Sequence, residues 1–170
     1  MFLRPATPTD AQALADFGRE SFAAAFAHLY RPDDLAAFNA EVYSREAVHE
    51  EIAGADCTHR IAESDGRIVG YCKLRHPSKL ASHSSAADPL ELCQLYTDPA
   101  LVGQGIGARL MDWALDVARD GGHDAVLLSV WSGNHGAQRF YERYGFAKIA
   151  DIHFKVGEQL DEEFLYQLTL

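Results

Sequence analysis

The sequence predicts a mixed α/β fold in which helices cover the faces of one central sheet, and three observations support this. First, 48% of the residues are hydrophobic and 24% are charged, which is typical of a folded globular protein. Second, the predicted elements run as one strand, three helices, two strands, two strand–helix units and two final strands. Third, 170 residues suit one core and would make two full domains cramped. We therefore expect a single domain over residues 1–170.

The front of the chain is predicted to be a short strand followed by three helices. Residues 2–5 form the strand, and Thr7, Pro8 and Asp10 are typical of a helix start. The aromatic residues Phe22, Phe26 and Tyr30 then recur at helical spacing, which favours core packing. Helices are also expected at residues 32–39 and 45–52.

The rest of the chain alternates between strands and helices. An Asp65-Gly66 pair is typical of a hairpin turn, and residues 76–90 lack periodicity and suggest a long exposed loop. Strands are expected at residues 58–63, 67–75, 91–97, 125–131, 146–155 and 163–170, with helices after the glycine cluster to about 119 and at 134–144.

Charge and composition limit the classes of function. The net charge of −10 disfavours binding to nucleic acid or membrane phosphates and favours cationic ligands, although acidity is also common for solubility alone. Three widely spaced cysteines indicate free thiols, and no histidine pair has metal-ligand spacing. The first residues lack a secretory pattern, and no apolar run is long enough to span a membrane. A cytoplasmic protein without a metal is therefore expected.

A glycine cluster between a predicted strand and helix is the main candidate for a binding site. Gly103, Gly105 and Gly107 would let the backbone approach a ligand, and a helix N-terminus attracts anions such as a pyrophosphate. The alternative is a turn that only packs the helix on the sheet. A nucleoside-triphosphate loop would need Gly-Lys-Ser/Thr, and a dinucleotide fingerprint would need Gly-x-Gly-x-x-Gly; neither is present.

The segment from Glu91 to Phe146 resembles the GCN5-related N-acetyltransferases. LYTDPALVGQGIGARLMDWAL is similar to their strand, pyrophosphate loop and helix, and Asn134 to Phe146 matches their second cofactor motif. The opening strand and helices are also similar, and the front and tail segments resemble the subgroup with bacterial spermidine/spermine acetyltransferases. One departure is Val102, where the family usually has Gln or Arg.

The resemblance implies that acetyl-CoA is the co-substrate and that the sheet is mostly antiparallel with about seven strands. It also implies the residues that hold acetyl-CoA: Leu95, Tyr96, Thr97, Gly103, Gln104, Gly105, Ile106, Gly107, Ala108, Asn134 and Tyr141.

The resemblance further implies that Tyr141 is the general acid that protonates the coenzyme sulfur, with Tyr144 as second choice. Glu91 matches the glutamate that serves as base in some relatives, and strand alternation would place it on the same face as Leu95. The alternatives are a core tyrosine at 141 and a solvated carboxylate at 91, with water or His83 as base.

The acceptor is expected to be a small primary amine, with a polyamine first and a peptide or protein amino group second. The net charge and the acidic residues 161–163, which lead into the last strand, motivate a cationic acceptor. A non-catalytic acyl-CoA sensor and a nucleotide-binding oxidoreductase domain are the rival functions. Similar proteins frequently form homodimers, so the expected partners include a second copy of this chain.

Overall fold

A computed structural model describes all 170 residues and contains one seven-stranded sheet. The strands are β1 (Phe2–Pro5), β2 (Cys57–Ser64), β3 (Arg67–Arg75), β4 (Pro89–Thr97), β5 (Ala125–Trp131), β6 (Ala147–Val156) and β7 (Gln159–Thr169). Their order across the sheet is β1-β2-β3-β4-β5-β7-β6, and only β4 and β5 are parallel. The predicted mixed, mostly antiparallel sheet is confirmed.

Five helices cover the two faces of this sheet: α1 (Ala11–Phe26), α2 (Pro32–Val42), α3 (Arg45–Ala53), α4 (Ile106–Asp120) and α5 (His135–Arg143). The apolar stripe of α4 packs with α5 on one face, in a core that includes Leu110, Leu128 and Tyr141. Helices α1, α2 and α3 cover the other face, around Leu14, Ile61 and other apolar side chains. The sheet therefore separates two apolar layers.

Strands β4 and β5 separate after a short paired stretch, and this separation positions the site. They pair only from Pro89 with Ala125 to Glu91 with Leu127. Beyond Glu91, the edge of β4 that faces β5 has no strand partner. Because backbone amide and carbonyl groups need partners, this open edge offers hydrogen bonds to an extended ligand.

Strand β4 contains an irregularity that reverses the predicted alternation. The pairing with β3 shifts between Lys73 and Leu74, so that Leu92 and Leu95 pack in the same core layer although they are three residues apart. A bulge inserts one residue and turns the following side chains to the other face. Glu91 and Leu95 consequently lie on opposite faces, and the prediction that they share one is wrong.

Strand β7 begins earlier than predicted. Val156 pairs with Gln159, so Asp161 and Glu162, which the prediction placed before the strand, lie inside it together with Glu163. The tight turn has Gly157 at φ 58°, and the Asp34 carboxylate accepts a hydrogen bond from the Glu158 amide at 2.9 Å. This turn starts the strand and gives its acidic side chains an alternating orientation.

Candidate functional site

A cavity of about 630 Å³ lies where β4 and β5 separate. Its walls come from α1, β4, β5, α5 and the final hairpin, and most of them are apolar. Because the gap passes between two strands, the cavity reaches both faces of the sheet. The predicted residues Leu95, Tyr96, Thr97, Gly107, Asn134 and Tyr141 all line it.

The glycine cluster forms a tight turn into α4 at one end of this cavity. Gly103 and Gly105 have φ of 85° and 75°, a region that side-chain-bearing residues rarely adopt. The Arg109 amide makes the first helical hydrogen bond, to the Gly105 carbonyl at 3.1 Å. The preceding amides from Gly105 to Ala108 therefore have no partner in the helix and, with the helix dipole, suit a pyrophosphate.

The helix packs closely against the strand edge at Gly107. A Cβ on Gly107 would lie 3.7 Å from both the Leu95 and the Thr97 side chains. This contact brings the free amides next to the open edge of β4. The two neighbouring surfaces suit a long ligand that carries both an extended arm and a phosphate. Val102, where the chain departs from its relatives, is 78% exposed at the rim of the cavity.

Tyr141 on α5 is nearly buried and reaches the cavity from the α4 side. Burial raises the pKa of its phenol, and the nearby charge of Glu163 raises it further. A phenol that stays neutral at physiological pH can donate a proton to a departing thiolate. The tyrosine that the sequence predicted as acid therefore lines the cavity with its phenol in the protonated form.

Asn134 caps helix α5, since its side chain accepts a hydrogen bond from the Ala137 amide at 3.2 Å. The same residue lines the cavity. Tyr144, the second candidate acid, instead donates to the backbone carbonyl of Ala108 at 3.4 Å and does not line the cavity.

Glu91 lies outside the cavity, where β4 and β5 are still paired. Its carboxylate accepts hydrogen bonds from the Lys79 amide at 2.7 Å and from the Ser78 hydroxyl at 3.2 Å. Arg75 lies 3.6 Å away. These contacts use the carboxylate to hold the loop after β3. Glu91 is buried, so the alternative of a solvated carboxylate is wrong.

Hydrogen bonds and ion pairs hold the two ends of the long loop between β3 and β4. The Asp124 carboxylate accepts hydrogen bonds from the Ala87 and Asp88 amides. The Asp88 carboxylate pairs with His76 at 2.7 Å and His123 at 3.1 Å, and the ligand atoms of these three residues lie within 4.8 Å of one another. Sequence spacing did not reveal this grouping, because its members come from three separate segments. His83 is exposed and does not line the cavity.

Glu163 lines the cavity although it is not among the site residues predicted from the sequence. Glu163 on β7 is the only charged side chain that lines the cavity. Partial burial raises the pKa of its carboxyl, whereas the Ser129 hydroxyl favours the ionised form. The signal that could have located it is alternation within the predicted strand 163–170, because Phe164 packs in the layer of α4 and Glu163 therefore faces the other side.

Comparisons with known proteins identify the family of the chain. The sequence model of the acetyltransferase (GNAT) family matches residues 23–146. An uncharacterized N-acetyltransferase of Mycobacterium tuberculosis is 31% identical over 157 residues, which cover 92% of this chain and 96% of that protein. One of Lactobacillus delbrueckii subsp. lactis is 27% identical over 89% of this chain and 87% of its own length.

Among solved structures, the PaiA N-acetyltransferase of Thermoplasma acidophilum in complex with coenzyme A has the same fold. Its TM-score is 0.80 at 22% identity, over 99% of this chain and 98% of that one. None of the helices of the present chain is both long and apolar enough to cross a membrane.

Proposed function

The chain belongs to the GNAT family of acetyl-CoA-dependent N-acetyltransferases, and on that premise we propose that it acetylates the primary amine of a small molecule with Tyr141 as general acid. The observation that carries the proposal is the position of Tyr141. Tyr141 lines the same cavity as the open edge of β4 and the single carboxylate, and burial keeps its hydroxyl neutral.

The chain offers the coenzyme two adjacent surfaces made of backbone. The amides between Gly103 and Ala108 suit the pyrophosphate, and the unpaired edge at Leu95, Tyr96 and Thr97 suits the extended pantetheine arm. Gln104 and Ile106 belong to the same turn, and Asn134 faces the cavity from the next helix. A thioester at the end of that arm would lie at the gap between β4 and β5.

Transfer then needs one proton removed from the amine and one given to sulfur. The amine nitrogen attacks the thioester carbon, the carbon–sulfur bond breaks, and the Tyr141 hydroxyl gives its proton to the thiolate. The raised pKa of Tyr141 keeps that proton on the phenol until sulfur takes it. Glu163, the charged residue that lines the cavity, supports a cationic acceptor, with polyamines as one class to test.

The test is a coenzyme A thiol-release assay with amines and peptide N-termini, using Tyr141→Phe and Tyr144→Phe as a matched pair. Tyr141→Phe should lower kcat by about 10- to 1,000-fold with little change in the acetyl-CoA Kd. Tyr144→Phe should keep kcat within about threefold, since its hydroxyl lies outside the cavity. Equal kcat values for the two variants would contradict the role of Tyr141.

A further inference from the structure

We propose that Glu163 binds the ammonium group of the acceptor and removes its proton, and that the acceptor is an amine with one positive charge on an apolar body. The inference rests on the proposed function, and it names the acceptor class and the base of that same site.

The first support is the isolation of the Glu163 charge. The pKa of Glu163 is shifted by burial, by the Ser129 hydroxyl and by the charge of Asp161. None of these influences comes from a basic side chain. A carboxylate in an apolar cavity is costly unless a cation or hydrogen-bond donors reach it. The remaining titratable groups around it, Tyr30, Tyr96 and Tyr141, are phenols whose pKa values Glu163 itself raises. A ligand ammonium would therefore supply the missing cation.

The second support is the position of Glu163 relative to the acid. Glu163 pairs with Trp131 across β5 and β7, whereas the adjacent Phe164 packs in the layer of α4 and α5. Glu163 therefore faces the α1 side of the sheet, and Tyr141 reaches the gap from the opposite side. An amine that enters from the α1 side would meet the carboxylate before it meets the thioester.

The third support is the composition of the walls on the α1 side. They include the aromatic rings of Phe22, Phe26, Trp131 and Phe154, and Phe26 lies edge-on to Trp131 at 6.3 Å. Such walls stabilise an apolar body and an ammonium near a ring face. A second ammonium, as in spermidine, would find no other charged side chain in the cavity. The geometry therefore favours an arylalkyl or alkyl monoamine over a polyamine.

The proton balance of the step is complete with these two residues. The ammonium gives one proton to the Glu163 carboxylate and becomes a neutral amine. After attack, Tyr141 gives its proton to the sulfur. The nitrogen then loses its second proton, and this proton restores the Tyr141 phenol. The net products are the amide, free coenzyme A and one proton, which leaves from Glu163.

Glu163→Gln tests the inference, with Glu162→Gln as the matched control, because Glu162 is exposed and neighbours it on the same strand. With 2-phenylethylamine as probe, Glu163→Gln should lower kcat/KM at least about 30-fold and remove the low-pH limb of its profile. The acetyl-CoA Kd and the activity of Glu162→Gln should stay within about threefold. The wild type should prefer 2-phenylethylamine to spermidine in kcat/KM.

A second measurement separates this inference from the proposed function. Calorimetry with free coenzyme A present should show 2-phenylethylamine binding to wild type and not to Glu163→Gln, whether or not turnover is seen. Binding without turnover of any amine would overturn the proposed function and keep the Glu163 site. No binding to wild type, equal binding to both proteins, or full activity of Glu163→Gln would overturn the inference.

Discussion

The two sides of the cavity are built in different ways. The coenzyme side consists mainly of backbone: a glycine turn, the first amides of α4 and the open edge of β4, all within residues 95–108. The acceptor side consists of side chains from α1, β5 and the final hairpin, which are far apart in sequence. Ligand binding by backbone groups is little affected when side chains are substituted. Where side chains bind the ligand, each substitution can change the ligand specificity. The comparison therefore predicts a fixed co-substrate and an adjustable acceptor.

The largest effect expected on coenzyme binding concerns the coenzyme side alone. Gly105→Asp should raise the acetyl-CoA Kd at least about tenfold, because a like charge and a strained left-handed backbone enter the phosphate site. Gly122→Asp is the control, since Gly122 has a similar φ of 74° and open space at the other end of α4. Calorimetry should show a normal Kd for the control. Equal losses in both variants would mean that backbone strain alone is responsible.

The difference between the two sides also explains what the sequence could predict. The glycine turn and the strand before it could be predicted because their residues are contiguous and glycine at a helix start has a clear physical reason, and their role as the coenzyme side stays a proposal. Glu163 was missed because it is the first residue of the predicted strand and follows two other acidic residues, and only the pairing of β7 with β5 shows that it faces the cavity. Glu91 was misplaced because a bulge in β4 breaks the alternation on which its assignment depended.

A smaller effect is expected at the aromatic wall. Phe26→Ala should raise the KM for 2-phenylethylamine by about three- to tenfold, since an edge-on ring contact contributes about 0.5–1.5 kcal/mol. The acetyl-CoA Kd should not change. Phe2→Ala, at a ring that is 52% exposed on β1, is the control. A raised Kd for acetyl-CoA in Phe26→Ala would show that the two sides of the cavity are not separate.

Glu91 is expected to affect stability rather than catalysis. Glu91→Gln weakens the hold of the carboxylate on the Lys79 amide and Arg75, so the melting temperature should fall by about 2–5 °C. The pH profile of kcat/KM should keep its low-pH limb. If that limb disappears in Glu91→Gln and persists in Glu163→Gln, then Glu91 is the base and the acceptor side has been assigned to the wrong carboxylate.

The smallest expected effect is a gain in stability at the acceptor side. The pKa of Glu163 is raised in the folded protein, so the folded state binds its proton more tightly than the unfolded state does. Stability from this group is therefore present at low pH and is lost as pH rises through the folded pKa.

Glu163→Gln should raise the melting temperature by about 1–3 °C at pH 8 and leave it unchanged at pH 4, because there the wild-type carboxyl is protonated. Glu162→Gln should show no such pH dependence in scanning calorimetry. A gain at pH 8 together with lost activity would show that the protein keeps a destabilising charge in its cavity for the acceptor, whereas a loss at pH 8 would mean that Glu163 is a structural group.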